Sequence, residues 1–253
     1  MPQKRVMPMD MVELLAKRAG KTAARAEAGF YDRPDKEKVI RSIDHTLLSG
    51  TAQADDIVRL CEEAVENQFS AVCIPPVWVP LARETLEDKA PRVCTTIAFP
   101  SGALPLSLKV QEIEWAKESG ADEVDVVLNI SNILRNDKKA LFEELSTLRE
   151  ASGNLCLKII IEANLLTNHQ KAMCVTIAEQ TGINYIKTGT GYNGPASFFD
   201  VAFLKSLTSD SSGLKVKASG GIRSLKAAEI LVALGASRIG TSKAMELVAN
   251  NRS

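Results

Sequence analysis

Gly120-Ala121-Asp122-Glu123-Val124-Asp125-Val126-Val127 carries the reading of the fold. The stretch before it, Leu108 to Ser119, spaces its apolar residues for one face of a helix. Gly120 then supplies a residue that can turn left-handed and end that helix. A valine-rich run of strand length follows, predicted as a strand over Glu123–Ile130. The same glycine punctuation returns at Gly182-Ile183 and Gly235-Ala236, each just ahead of another apolar run.

Working outward, eight strands are predicted: Ser42–Leu48, Ser70–Ile74, Arg92–Ala98, Glu123–Ile130, Leu155–Glu162, Asn184–Thr188, Leu214–Ala218 and Ser237–Thr241. Successive starts lie about 22 to 32 residues apart, the length of one βα unit. The segments between them read as helices. Asp55 to Asn67, for example, puts Ile57, Leu60, Cys61, Ala64 and Val65 on one stripe. The first strand leads into Leu48-Ser49-Gly50-Thr51, with no G-x-G-x-x-G, so an open dinucleotide-binding sheet is disfavoured. The expected fold is α/β, a closed (β/α)8 TIM barrel with an N-terminal helical extension, and 253 residues suit it. Residues 1–40 form the extension and 41–253 a single barrel domain. Within the extension, Asp10 is expected as N-cap, Met11 to Ala19 as helix and Gly20 as its stop.

The totals exclude several classes. Lys plus Arg and Asp plus Glu both number 31, so no global basic field exists to hold nucleic acid or a lipid surface. No apolar run approaches the roughly 20 residues that span a bilayer. Five scattered cysteines without a C-x-x-C pair fit a reducing compartment and no disulfide framework. Two distant histidines, His45 and His169, argue against a histidine-rich metal site. The apolar early helices fit either a homodimer interface or the barrel wall.

Buried parallel strands should read as nearly continuous apolar runs, and several here do not. Asp44 interrupts the first strand and Asp125 the fourth. Lys158 and Glu162 flank Ile159-Ile160-Ile161 in the fifth. Lys187 ends the sixth, and Lys217 follows Val216 in the seventh. By strand alternation Glu123 shares a face with Asp125, Lys158 with Glu162, and Lys215 with Lys217. A single lysine near a strand end is usually a structural, salt-bridged group. Several charges together point instead to a polar mouth at the end where barrel enzymes hold their chemistry.

Two lysines on neighbouring strands suggest a specific chemistry. An amine must shed its proton to attack a carbonyl, and lysine ordinarily titrates at about 10.4. Two ammonium groups about 4 Å apart repel by about 4 kcal/mol at an effective dielectric of 20, enough to lower one of them by roughly three pH units. This arithmetic does not say which of Lys187 and Lys217 is the nucleophile. Asp125 is placed to pair with the lysine that stays charged and to relay protons through a water.

Three small-residue loops follow the last three strands: Thr188-Gly189-Thr190-Gly191, Ser219-Gly220-Gly221 and Gly240-Thr241-Ser242. Glycine lets backbone N–H groups approach an anion, and this end of a barrel often holds phosphate. Arg223, just after the second loop, could add a charge or simply be exposed.

Six motifs then resemble one family. They are Ser-Ile-Asp44-His-Thr-Leu-Leu, Ala-Val-Cys73-Ile-Pro-Pro, Gly-Ala-Asp-Glu-Val-Asp125-Val-Val, Leu-Lys158-Ile-Ile-Ile-Glu162, Tyr-Ile-Lys187-Thr-Gly-Thr-Gly and Val-Lys217-Ala-Ser-Gly-Gly-Ile-Arg. Together, from about Ser42 to Leu247, they resemble the deoxyribose-phosphate aldolases. The resemblance implies that Lys187 forms a Schiff base, Lys217 depresses its pKa, and Asp125 with Lys217 moves protons. It puts Lys158 and Asp44 in a supporting network and Cys73 on the substrate site. Thr190, Gly191, Gly220, Gly221 and Ser242 would sit near the sugar phosphate. Where some members carry a basic residue after Thr-Gly, this chain has Tyr192. The implied reaction is reversible cleavage of 2-deoxy-D-ribose 5-phosphate to D-glyceraldehyde 3-phosphate and acetaldehyde. It proceeds in the cytoplasm, in deoxynucleoside breakdown, without metal or cofactor. The alternatives are a Schiff-base aldolase or transaldolase on another sugar phosphate, and a non-catalytic phosphometabolite-binding barrel.

Overall fold

The computed structural model describes residues 7–249. The ends of the predicted extension and barrel domain, 1–6 and 250–253, lie outside the described residues. The chain opens with α1 (Met9–Glu27) and α2 (Lys36–Arg41). Then come β1 (Ile43–Thr46), α3 (Ala54–Glu66), β2 (Ala71–Ile74), α4 (Val79–Leu86), β3 (Arg92–Ile97) and α5 (Leu106–Glu118). They are followed by β4 (Glu123–Val127), α6 (Ile130–Leu134), α7 (Lys138–Ser152), β5 (Cys156–Ile160), α8 (Asn168–Gln180) and β6 (Tyr185–Lys187). The last elements are α9 (Phe198–Leu207), β7 (Lys215–Ser219), α10 (Leu225–Ala233), β8 (Ala236–Thr241) and α11 (Ala244–Ala249). The strands pair in parallel in sequence order, and β1 closes on β8. The expected (β/α)8 barrel is therefore the observed one.

Each predicted strand is present, most of them trimmed. β4 stops at Val127 because Ile130 already begins α6. β5 stops at Ile160, and Glu162 turns into a left-handed conformation with φ 53°. The helices follow their patterns. Ile57, Leu60, Cys61 and Ala64 of α3 are all buried, and Gln53 with Asp56 forms a capping box at its start. Gly120 and Gly235 do take positive φ, 96° and 109°, at the joins into β4 and β8.

Two layers of packing result. Outward strand residues such as Val72, Val124, Ile159 and Ile186 join the helices in one continuous apolar core. Inside the barrel Ala71, Cys73 and Cys94 form an apolar cluster separate from that core. Thr96, Val127 and Ile160 share the inward face with a set of buried charged side chains.

The extension differs from expectation. Helix α1 begins after Pro8, runs through Gly20 and ends at Glu27, with Gly29 at φ 92° just beyond it. Asp10 lies within its first turn rather than capping it. Val12, Ala16, Ala19, Ala23 and Ala26 form its buried face, and α1 packs against α9 and α8 as part of the common core. Small side chains let the helices approach closely, so the helix is held by tertiary packing and does not end at the glycine. A Cβ on Gly20 would meet its nearest neighbour, Phe199 Cδ2, at 4.0 Å, an ordinary contact. Gly20→Ala should therefore stabilise α1 by about 0.5–1 kcal/mol and raise Tm by roughly 2–4 °C. A fall in the calorimetric Tm would contradict this packing.

Candidate active site

Register brings the predicted residues together. Lys187 of β6 pairs with Lys217 of β7, and Asp125 of β4 pairs with Lys158 of β5. All point into the barrel, where Asp125 is the hub. Its Oδ1 accepts from Lys158 Nζ at 2.9 Å, and its Oδ2 accepts from Lys187 and Lys217, each at 2.7 Å. The two lysine nitrogens therefore lie no farther apart than twice that distance, within electrostatic reach of each other.

The network extends beyond the predicted set. Lys217 also donates to Asp44 Oδ2. Asp44 Oδ1 accepts from Arg238 Nε at 2.6 Å, and Arg238 Nη2 donates to Glu123 Oε2 at 2.6 Å. Lys158 Nζ lies 2.5 Å from that same Glu123 oxygen. The contacts close a ring: Asp44, Arg238, Glu123, Lys158, Asp125, Lys217 and back to Asp44. Three cations alternate with three carboxylates. Lys187 is attached to the ring through Asp125 alone.

Burial acts on Asp125, Asp44, Lys217 and Lys158 of this ring, and the opposite charges decide the outcome. For Asp125, burial favours the neutral acid, but Lys158, Lys187 and Lys217 outweigh it and hold the carboxyl well below its usual range. Asp44 is likewise lowered, with burial overcome by Lys217 and Arg238. For Lys217, burial disfavours the charge, but Asp125 and Asp44 hold the ammonium above the ordinary lysine range. Lys158 is raised in the same way, against burial, first by Asp125.

A cavity of about 500 Å³ opens at the C-terminal ends of the strands. Lys187 reaches its wall, and so do Thr190, Gly191, Gly220, Gly221 and Ser242. Arg223 and Lys243 add positive charge to the same wall. Lys217 is 0% exposed and Lys187 4%, so of the two only Lys187 meets the cavity. Cys73, expected on the substrate site, is buried in the barrel interior beside Cys94 and does not line this cavity. Cys73, Cys94 and Asp125 place three ligand atoms within 4.8 Å of one another. Three lysine nitrogens already surround that carboxylate, and Lys158 and Lys217 are held charged, a setting hostile to a further cation.

Local backbone geometry makes this arrangement possible. A Cβ on Gly240 would stand 2.9 Å from Ser219 Cβ and 3.3 Å from Lys217 Cε, so glycine leaves the space through which Lys217 passes. Gly191 and Gly220 approach so closely that a Cβ on Gly220 would lie 3.2 Å from Gly191 Cα. Ser219 donates to Gly189 O at 2.6 Å and accepts no role in the ring, while its N–H donates to Thr188 Oγ1 at 3.0 Å, lacing the two loops together. The left-handed Glu162 turns its carboxylate onto the Thr190 backbone and hydroxyl, the latter at 2.6 Å, and so shapes the loop after β6. The sequence pattern had put Glu162 on the same face as Lys158, and it gave Arg238 no role at all.

Two outcomes test this geometry. The Asp44 and Asp125 carboxyls lie below their unfolded value of 3.8, so the stability they contribute is present above that pH and is lost as pH falls through their folded-state values. Tm should be level above about pH 5 and drop steeply below about pH 4, with a shallower drop in Asp125→Asn; a parallel drop in the variant would contradict the assignment. Gly240→Ala should lower kcat by about 10²-fold through displacement of Lys217 while the fold persists. Unchanged kcat would show that the space beside Lys217 is not needed.

Comparison with known proteins gives a consistent picture. The DeoC/LacD family aldolase model matches residues 38–244. A deoxyribose-phosphate aldolase of Trichormus variabilis is 41% identical over 206 residues, 81% of this chain and 90% of that one. One from Clostridium botulinum is 40% identical over 83% of this chain and 99% of its own. Among solved structures, a tetrameric deoxyribose phosphate aldolase from Aeropyrum pernix superposes with a TM-score of 0.80 at 29% identity, covering 94% of this chain and 97% of that one. A Coccidioides immitis protein crystallised as a candidate for the same activity gives 0.85 at 30% identity over 98% and 99% of the two chains. The chain belongs to the DeoC/LacD family of aldolases.

Proposed function

We propose that this chain is a class I aldolase that cleaves 2-deoxy-D-ribose 5-phosphate reversibly to D-glyceraldehyde 3-phosphate and acetaldehyde, with Lys187 as the nucleophile. The observation that carries the reading is the charge arrangement. Six buried charged groups balance one another in a closed ring, and Lys187, which alone of the buried lysines of this cluster reaches the cavity, has no carboxylate to itself. Its free-amine form leaves the interior electrically balanced. Lys217, held charged by Asp125 and Asp44, supplies the neighbouring positive charge.

The steps follow from that placement. The Lys187 amine adds to the C1 aldehyde of the open-chain sugar, and loss of water gives a protonated imine. The proton of the C3 hydroxyl passes through a water to the Asp125–Lys217 pair as the C2–C3 bond breaks. The bond electrons flow to the imine nitrogen, leaving an enamine, and glyceraldehyde 3-phosphate departs. Return of a proton to C2, then addition of water, releases acetaldehyde and restores the amine. The Gly191, Gly220–Gly221 and Ser242 loops, with Arg223 and Lys243, would hold the phosphate. In this role the enzyme serves deoxynucleoside breakdown.

Residues 41–253 are taken as the catalytic barrel domain and 1–40 as an N-terminal extension, whose helix α1 packs on α9 and α8. Among the described residues no helix is long and apolar enough to cross a membrane, and a cytoplasmic homodimer is proposed. Exposed Met9, Met11 and Leu14 on α1 support a contact between copies; a monomer by light scattering would contradict it.

Incubation with 2-deoxyribose 5-phosphate and borohydride should leave one covalent adduct on Lys187 by mass. Lys187→Arg should abolish it and reduce turnover by about 10³-fold or more. Asp125→Asn should cut turnover by about 10²–10⁴-fold while keeping the fold. An adduct on Lys217, or none on any lysine, would overturn the assignment.

A further inference from the structure

The cavity of Lys187 is one end of the charged interior. The other end opens at the N-terminal ends of the strands, in a second cavity of about 450 Å³ whose wall includes Glu123 and Arg238. We propose that Arg238 and Glu123, on this barrel floor, are positioning residues that set the charge balance under Lys187 and thereby the pH range in which its amine can react. The inference rests on the reading of Lys187 as the nucleophile.

Arg238 faces inward for a specific reason. The β7–β8 register shifts between Val216 and Lys217, so that Val216 pairs with Ala236 but Lys217 pairs with Arg238. The extra residue, Ser237, is accommodated as a bulge, and bulges re-aim side chains. Simple alternation from Ala236 would have set Arg238 on the same face as Ala236, which belongs to the outer core. The bulge brings the guanidinium under the barrel centre, where it touches both Asp44 and Glu123 at 2.6 Å. Arg238 thus ties down the carboxylate that grips Lys217. Glu123 in turn grips Lys158, which donates to Asp125.

The groups around Lys187 can be named strand by strand. Asp44 comes from β1, Cys73 from β2 and Cys94 from β3. Asp125 and Glu123 come from β4, Lys158 from β5, Lys217 from β7 and Arg238 from β8. Above the amine stand Arg223 and Lys243, and Glu162 is held by Thr190. On the floor lie Asp122, Arg149, Cys156, Tyr185 and Lys215, with exposed Arg92 3.9 Å from Glu123. Glu162, also buried, is engaged by Thr190; within the ring and Lys187, four cations face three carboxylates, and loss of one cation brings that balance to zero.

The two floor residues carry opposite charge, so their removal has opposite consequences. Without Arg238, three cations remain for three carboxylates, and the ammonium form of Lys187 becomes the balanced one. Without Glu123, four cations face two carboxylates, and the free amine is favoured further. A unit charge roughly 10 Å away at an effective dielectric of about 20 corresponds to a shift of about one pH unit.

The test measures the rate of borohydride-trapped adduct formation on Lys187 against pH, with acetaldehyde as the probe, in folded protein verified by thermal melting. The acid limb of this profile should move up by about one pH unit in Arg238→Gln, down by about one in Glu123→Gln, and stay in place in Arg238→Lys. Shifts in the same direction, or none, would overturn the inference and leave these residues a purely structural role. Should Arg238→Gln fail to fold, the direction of the Glu123→Gln shift decides. Absence of trapping in the unaltered protein would instead overturn the reading of Lys187 itself.

Discussion

Charged groups inside a barrel are tolerable only when each is matched, and the match here is a closed circuit. Asp44, Arg238, Glu123, Lys158, Asp125 and Lys217 alternate in sign around the interior, so every member contacts an opposite charge on both sides. Removing one partner of a buried pair typically destabilises by 3–5 kcal/mol, because the other charge is stranded. Replacing the whole set with apolar side chains would often be neutral for stability. The ring is therefore explained by what it does for the side chain attached to it. It presents Lys187 to a cavity with a charged ammonium beside it and a shared carboxylate beneath it.

The backbone serves that ring. Eight parallel strands supply the inward positions, and the charges of the ring, with Lys187, each sit on a different strand except the Glu123 and Asp125 pair, two residues apart on β4. Gly240 leaves room for the Lys217 side chain, and the bulge at Ser237 turns Arg238 inward. Outside the barrel, a second buried pair supports the same strand. Lys109 of α5 donates to Val127 O at 2.8 Å and to Glu144 of α7 at 2.7 Å, and Glu144 accepts from the Asn129 N–H. The end of β4, which carries Asp125, is thus clamped from the helix layer as well as from within.

Most of the fold was legible because it depends on local chemistry. Apolar runs, helical stripes and the glycines at 120, 182 and 235 each report their own segment, and eight repetitions leave few topologies. The lysine and aspartate positions were legible for a related reason: a charge inside an apolar strand is conspicuous. Arg238 was not, since its inward orientation depends on a bulge that is visible only in the pairing of two strands. Glu162 misled because its left-handed backbone breaks the alternation that placed it beside Lys158. Gly20 misled because the packing of α1 on α9, two segments distant in sequence, overrides a local stop signal. Cys73 was expected at the cavity by resemblance, and its burial reflects a depth along the strand that alternation does not report.

The central claim is that the interior keeps Lys158 and Lys217 charged and leaves Lys187 as the amine able to react. Lysine side chains labelled with ¹³C at Cε, assigned by single substitutions and followed by NMR across pH, would test it directly. The Lys158 and Lys217 resonances should hold their ammonium positions throughout the pH range in which borohydride traps an adduct on Lys187. A Lys217 resonance that titrates within that range would contradict the assignment.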